Sequence, residues 1–428
     1  MTFSIITLGC KVNRYESQFI SELMKKRGYT EADAYNADIV IINSCTVTTT
    51  ADAKNRKAIH RVRRENKNAV IVLTGCMPQA FFEECSAFDE CDIVVGNKSR
   101  KNIVDIIEKY LKNKEKICCK EEYTNKDIFE EISVDNFSDR TRAFVKIEDG
   151  CNQFCTYCII PYARGRVRSK SLNTLKKEVT ALCYNGYEEI VLVGINLSSY
   201  GVDTEHTLFD AVKCVCDIDG VKRVRLGSFE PERMTEDIIE KLSKEEKFCP
   251  QFHLSLQSGC TKTLHEMHRH YSAEEYYNIV SDIRKYFENP AITTDIMVGF
   301  SGESREDFEE SLRFAEKVKF AKIHVFPYSR RKGTKAYDCV DIVSDEEKAR
   351  RTKLMLNVAE NSSKEFLQSM VGKCEQVLFE NKLKDGSFVG YTKNYTPIRV
   401  ISNDNLSGKI IDVIIIDAKD DYCVGVVK

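Results

Sequence analysis

The sequence has no apolar run approaching the roughly 18 residues of a membrane helix, and no internal repeat or low-complexity tract. The opening residues, MTFSIITLGC, lack the basic n-region and apolar h-region of a secretory signal, so neither export nor insertion is expected. Excess charge is also missing: 64 Lys and Arg meet 66 Asp and Glu, a net of −2. That balance argues against a generic nucleic-acid coat protein and leaves only local basic faces to be sought. What the chain does have is cysteine, 18 in 428 residues. A cytoplasmic protein keeps its thiols reduced, so these should be buried fillers, metal ligands or reactive groups, not disulfides.

The hydrophobic pattern divides the chain into parts. The runs FSIITLG (3–9), DIVIINS (38–44), AVIVLTG (69–75) and DIVVG (92–96) alternate with helical stretches. That spacing implies a flavodoxin-like, doubly wound parallel sheet over residues 1–113. Residues 114–139 are charged and aperiodic and read as a peripheral linker. Six further strand–helix steps fill 140–370: RAFVKI (142–147), EEIVLVG (188–194), KRVRLGS (222–228), QFHLSLQ (251–257), ITTDIMVG (292–299) and KIHVFPYS (322–329). Six steps fall short of an eight-stranded barrel, so a partial (β/α)6 barrel of TIM type is expected. After a long polar helix at about 344–370, five short strands without helices suggest a small closed β-barrel over 371–428.

Residues 150–158, GCNQFCTYC, hold Cys151, Cys155 and Cys158, and the next cysteine is the distant Cys183. A closed metal site normally takes four ligands. Three soft thiolates at CxxxCxxC spacing suit an iron–sulfur cube with one corner left for something else. The motif follows the first barrel strand, at the face where such barrels do chemistry. A zinc loop with a remote fourth ligand, or three packing cysteines, are the competing readings. A second trio is dispersed: Cys10 ends ITLGC, Cys45 ends IINSC and Cys76 ends VLTGC. Each directly follows an expected parallel strand, so all three should gather on the sheet edge where ligands bind. Cys85 and Cys91 read as packing residues.

VKIEDGCNQFCTYCIIPYARGRVRS resembles the radical S-adenosylmethionine (SAM) enzymes, and TLGCKVNRYES, INSCTVT and TGC resemble the amino-terminal domain of the methylthiotransferases. EIVLVGINLSSYG, HLSLQSG, TTDIMVGF and HVFPYSRRKGT agree, and the last five strands are similar to a TRAM domain. The resemblance implies two 4Fe-4S clusters, one on Cys151, Cys155 and Cys158 that chelates SAM at its open iron, and an auxiliary one on Cys10, Cys45 and Cys76. It implies that SAM serves as methyl donor to an auxiliary-cluster sulfur and as source of a 5′-deoxyadenosyl radical, with an electron from a donor such as a flavodoxin or ferredoxin. The combination TLGCKVNRYES, CTVT and YARGRVRS is most similar to the branch acting on N6-threonylcarbamoyladenosine next to the tRNA anticodon. Carbon 2 of adenine bears a hydrogen on which acid–base chemistry has no handle, so a radical suits it. The same chemistry on N6-isopentenyladenosine tRNA or on a ribosomal protein aspartate is the nearest alternative. A non-catalytic iron–sulfur RNA-binding or sensor protein is the alternative of another class.

Other site residues are expected from position. Tyr157 stands where the superfamily has an aromatic beside the SAM adenine; Gly194, Asn196, Ser255, Gln257 and Asp295 end barrel strands or lie on them, and ordinary strand-end polarity competes with cofactor contact. For RNA, Lys54, Arg56, Lys57, Arg61, Arg63 and Arg64 follow Cys45 on an expected helix, and Arg164, Arg166 and Arg168 follow the cluster loop. Such clusters can hold phosphates of a single-stranded anticodon loop, against the plainer reading of a solvated face. The last 57 residues carry eight Lys/Arg and eight Asp/Glu, so RNA contact there would rest on Phe388, Tyr391 and Tyr395, or the domain is a structural cap. LHEMHRHY (264–271) fails as a zinc motif because Arg269 stands where HExxH needs histidine, and it reads as a polar loop. In GFSGE, Ser301 replaces the family's proline, which loosens a turn and removes no ligand.

Overall fold

The computed structural model describes residues 1–137 and 141–428. The expected linker–barrel boundary at 139/140 lies outside the described residues. The N-terminal part is a six-stranded sheet in the order Thr30–Glu31, Thr2–Thr7, Ile39–Ser44, Val70–Gly75, Ile93–Val95, Ile117–Cys119, all parallel. IVIINS and VIVLTG are buried on both faces, which is why they read as continuous apolar runs. Their period of two sends Ile39, Ile41, Val70 and Val72 to one core with Ile103 and Ile107. Val40, Ile42, Ile71 and Leu73 go to the other, with Ile59 and Val62. The strand order reverses between Thr2–Thr7 and Ile39–Ser44, so Cys10 and Cys45 follow the two strands of the switch point. Thr30–Glu31 and Ile117–Cys119 are too short for a hydrophobic period to announce them.

The barrel has six parallel strands, with the third broken at Gly227. Arg223–Leu226 pairs with Glu189–Val193, which pairs with Arg142–Lys146. Beyond the break, Ser228–Phe229 pairs with Gln251–Leu254, followed by Ala291–Val298 and Lys322–Pro327. The N-terminal part spans both edge strands of this open barrel. Its helix Lys11–Lys26 packs on Arg142–Lys146 and contributes Val12 and Tyr15 to the barrel core. At the other edge Thr49 N donates to Ser329 Oγ at 3.2 Å, and the buried Arg331 pairs with Asp52.

The linker expected to be peripheral is not so. Phe129, Ile132, Val134 and Phe137 are buried, Tyr15 Oη donates to the Ile132 carbonyl at 2.9 Å, and Val134 N donates to Glu178 Oε1 at 3.0 Å. These apolar residues stand among charges without a regular period, so no pattern betrays their burial. Helix Asp345–Ser369 begins at a Ser344 cap and is tied to the barrel by Arg351 Nη1 and Glu303 Oε2 at 2.6 Å. It leads into a closed five-stranded barrel, Cys374–Lys382, Ser387–Thr392, Pro397–Ile401, Ile410–Ala418 and Cys423–Val427. This barrel sits under the N-terminal ends of the (β/α)6 strands, where Arg223 donates to the Gln376 carbonyl at 2.7 Å and Arg142 pairs with Glu380 at 2.7 Å. The three aromatics expected to meet RNA are already used. Phe388 is interior, and Tyr391 and Tyr395 stack 4.5 Å apart with Arg142 and Arg225 against their rings.

Candidate active site

Strand Arg142–Lys146 ends in Glu148–Asp149, which pairs antiparallel with Arg168–Ser169 and delivers the cysteine loop to the top of the barrel. Gly150 makes the turn at φ +89°, and a Cβ there would stand 2.0 Å from the Arg166 carbonyl oxygen. Thr156 clasps the loop to the 264–271 segment, donating from N to the Met267 carbonyl at 3.1 Å and from Oγ1 to the Glu266 carbonyl at 3.0 Å. The thiols of Cys151, Cys155 and Cys158 lie within electrostatic reach of one another, and burial pushes Cys151 and Cys158 up to about 12. A thiol so reluctant to ionise becomes a thiolate when a metal takes the proton's place. Nitrogen donors face the sulfurs: Arg269 Nη1 is 3.3 Å from Cys155 Sγ, and Asn196 Nδ2 is 3.7 Å from Cys151 Sγ.

The segment read as a polar loop is therefore a wall of this site. Met267, Arg269 and Tyr271 are buried, and Arg269 also pairs with Glu230 and donates to the Ser255 carbonyl at 3.3 Å. Two buried acceptors nearby have no partner among the described residues, Glu148 Oε1 and Gln257 Oε1. Burial pushes the Glu148 carboxyl up to about 8, although Oε2 accepts from Asn196 N at 2.7 Å. Orphaned acceptors beside a thiol trio fit a ligand bearing an ammonium and hydroxyls, as SAM does. Gly194 is pressed against Glu148, where a Cβ would lie 2.6 Å from Oε2. Asn196 and Gln257 thus stand at the site, Tyr157 packs edge-on to Phe300 within it, and Ser255 contributes its carbonyl to the wall. Asp295 faces the lumen lower down, its Oδ2 3.3 Å from His253 Nε2.

The second trio assembles from three separate strand ends. Cys10 caps helix Lys11–Lys26, Cys45 follows Ile39–Ser44, and Cys76 opens the short helix Cys76–Ala80. Gly9 at φ +131° lets Cys45 approach, since a Cβ there would be 2.8 Å from Cys45 Cβ. Burial raises Cys45 and takes Cys76 up to about 12, with the neighbouring thiols adding to both. Arg164 Nε donates to Cys76 Sγ at 3.1 Å, while its Nη1 meets Asp149 Oδ1 at 3.1 Å and Glu16 Oε1 at 2.7 Å. One guanidinium thus joins the second trio to the strand that carries the first. Among the described residues no three His, Cys, Asp or Glu side chains converge on a point fit for a single ion. A cube carries each thiolate on a different iron, so a trio whose thiols lie near one another without converging on one point is an arrangement it can use.

The expected RNA contacts divide. Arg164 and Arg168 are buried among Glu16, Asp149 and backbone carbonyls, so neither can reach a phosphate. Arg166 is exposed and lies over the Phe154 ring at 4.6 Å. On helix Thr49–Glu65, Arg63 is tied to Asp92 at 2.6 Å and to the Ala69 carbonyl at 2.9 Å, which removes it from the basic face. Lys54, Arg56, Lys57, Arg61 and Arg64 stay exposed, and Arg56, Lys57, Arg61 and Arg64 with His60 line a surface concavity of about 600 Å³. Sequence reasoning missed Glu16, Glu148, Arg269 and Glu230, because a charge that is buried by tertiary contact looks the same in a string as one that is solvated.

Three family models match: uncharacterized protein family UPF0004 over residues 2–96, the radical SAM superfamily over 145–315, and the TRAM domain over 368–428. The chain is 37% identical to the threonylcarbamoyladenosine tRNA methylthiotransferase MtaB of Bacillus subtilis, covering 98% of this chain and 95% of that one. It is 36% identical to the protein of the same name from Thermotoga maritima, covering 94% and 92%. A tRNA-2-methylthio-N(6)-dimethylallyladenosine synthase of Clostridium botulinum is also 36% identical, over 97% and 94%. In fold, the chain is similar to the radical SAM methyltransferase TsrM of Kitasatospora setae, with a TM-score of 0.56 at 12% identity over 78% of this chain and 74% of that one. No helix among the described residues is long and apolar enough to cross a membrane. With full-length relatives of one reaction type and a radical SAM core between its two flanking domains, the chain belongs to the methylthiotransferase family of radical SAM enzymes.

Proposed function

We propose that this enzyme adds a methylthio group to carbon 2 of N6-threonylcarbamoyladenosine next to the anticodon of tRNA, in the cytoplasm, drawing its electron from a flavodoxin- or ferredoxin-like protein. The observation that carries the reading is the joining of two strand-end thiol trios by Arg164. Cys151, Cys155 and Cys158 would hold the SAM-binding 4Fe-4S cluster, and Cys10, Cys45 and Cys76 the auxiliary one. When bound, these groups supply a carbon radical and a methylated sulfur. The chain's own residues bind and orient. Arg269 and Asn196 place nitrogen donors on the first trio, Glu148 and Gln257 offer acceptors to SAM, and the clasp of 264–271 shuts water out of that wall. The exposed cations of helix Thr49–Glu65 would hold the RNA backbone.

Nucleoside analysis of tRNA from a strain lacking the gene tests the substrate. Loss of the 2-methylthio form of threonylcarbamoyladenosine is expected; loss of the isopentenyl counterpart alone would assign the enzyme to the other tRNA branch. Reduced, anaerobically loaded protein should cleave SAM to 5′-deoxyadenosine. Cys155→Ala should abolish that cleavage, whereas Cys45→Ala should spare it and block methylthio insertion.

A further inference from the structure

Next to the SAM wall, the barrel lumen carries a polar layer that neither thiol trio uses. Phe252, Leu254, Ile292, Ile296 and Ile323 turn into the hydrophobic core. By the period of two, His253, Thr293, Asp295 and His324 therefore stand on the lumen side of the same strands. The register sets Asp295 opposite His324, and the His253 and His324 rings lie 5.9 Å apart. A short relay fixes the acid: Thr293 Oγ1 is 3.0 Å from His253 Nδ1, and His253 Nε2 is 3.3 Å from Asp295 Oδ2. The other carboxylate oxygen, Oδ1, accepts no hydrogen bond among the described residues, and the side chain is one-third exposed. His324 and Lys322, which follow one another on this face, are exposed, and among the described residues neither makes a hydrogen bond or an ion pair. The layer adjoins the SAM wall directly, since Gln257 N donates to the Asp295 carbonyl at 2.9 Å and Met297 N to the Gln257 carbonyl at 2.9 Å.

We infer that Asp295, braced by His253, accepts the hydroxyl of the threonylcarbamoyl group, and so serves the RNA substrate and not SAM. The inference rests on the substrate reading above. Carbon 2 and N6 lie on the same edge of adenine, so a base turned with that edge to the SAM wall carries its N6 substituent onto the adjoining layer. There the threonyl hydroxyl donates to the carboxylate oxygen that no other group holds. His324 and Lys322 supply donors for the substituent's own carboxylate, which offsets its repulsion from Asp295. An isopentenyl group would take Asp295 out of water and give it no donor. A site arranged around hydrogen bonds rejects an apolar analogue for that reason.

The test is binding of anticodon stem-loop RNAs to the cluster-loaded, full-length protein, read by fluorescence anisotropy, with SAM affinity measured alongside. One RNA carries threonylcarbamoyladenosine, a second the analogue with hydrogen in place of the threonyl hydroxyl, and a third isopentenyladenosine. Wild type should prefer the first to the second by about tenfold, the scale of a hydrogen bond to a charged group. Asp295→Ala should bring that ratio close to one without a matching fall in SAM affinity. Asp295→Asn, whose amide oxygen still accepts, should retain a preference for the hydroxyl; iron content and melting temperature identify a damaged variant. A wild-type ratio near one would overturn the inference, as would an undiminished ratio in Asp295→Ala or a variant that loses SAM affinity alone. Wild type that binds and modifies only the isopentenyl RNA would instead remove the substrate reading itself.

Discussion

Arg164 is a fully buried guanidinium whose partners come from three places in the chain: Glu16, Asp149 and the sulfur of Cys76. Arg164→Met should cost about 3–5 kcal/mol in chemical denaturation, because it leaves Glu16 and Asp149 buried with one cation fewer. It should leave the salt dependence of RNA binding unchanged, since the group never reaches solvent. The carboxyl of Glu16, buried yet surrounded by Arg100, Arg164 and Lys146, is held down to about 2 from its ordinary 4.5. A depressed acid stabilises fully above its unfolded pKa, and that stability is lost as pH falls from about 4.5 towards 2. Unfolding titrations should show this loss, and Glu16→Gln should remove it. Glu148 has the opposite sign. With a folded value of about 8, it favours the fold below pH 4.5 and loses that contribution as pH rises through 8. Glu148→Gln should therefore flatten the stability profile between about pH 4.5 and 8 while weakening SAM binding by about tenfold.

At the scale of the element, helix Thr49–Glu65 sorts its own cations. Arg56 and Lys57 project into the concavity, whereas Arg63 on another face is pinned by Asp92 and three carbonyls. Arg56→Glu with Lys57→Glu should weaken tRNA binding and lower the salt slope by about 1–2, while Arg63→Ala should lower thermal stability and leave the slope alone. The helix and its basic character are legible from KNRKAIHRVRR, but the division of labour within it is not. It depends on which turn faces the strand Ile93–Val95 neighbourhood. The placement of Cys10, Cys45 and Cys76 at the ends of parallel strands was legible for a related reason: topology places a thiol there without any side-chain detail. The burial of Arg164 and Arg168 was not, because RGRVR next to a cluster loop spells the same for a phosphate cradle as for an ionic joint.

The whole molecule is an open barrel closed by its neighbours. The N-terminal sheet domain bridges the edge strands through Glu16–Lys146 and Arg331–Asp52, and the small C-terminal barrel plugs the opposite end. That plug is a cation–aromatic joint, with Arg142 and Arg225 against the Tyr391–Tyr395 stack. Tyr395→Ala should lower the melting temperature of the full chain by several degrees and leave RNA affinity unchanged. A fall in affinity without loss of stability would return the tyrosine to the RNA surface. The fold class was readable throughout from strand spacing; the joints between domains were not, since they consist of charged residues that sequence assigns to solvent. Both trios matter only if each organises its own cluster. The most direct measurement is anaerobic iron and sulfide counting with Mössbauer spectroscopy on wild type and on the triple variants Cys151/155/158→Ala and Cys10/45/76→Ala. Two four-iron cubes in wild type and one in each variant is the predicted result, and a single cube in fully loaded wild type, or no loss in either variant, would contradict it.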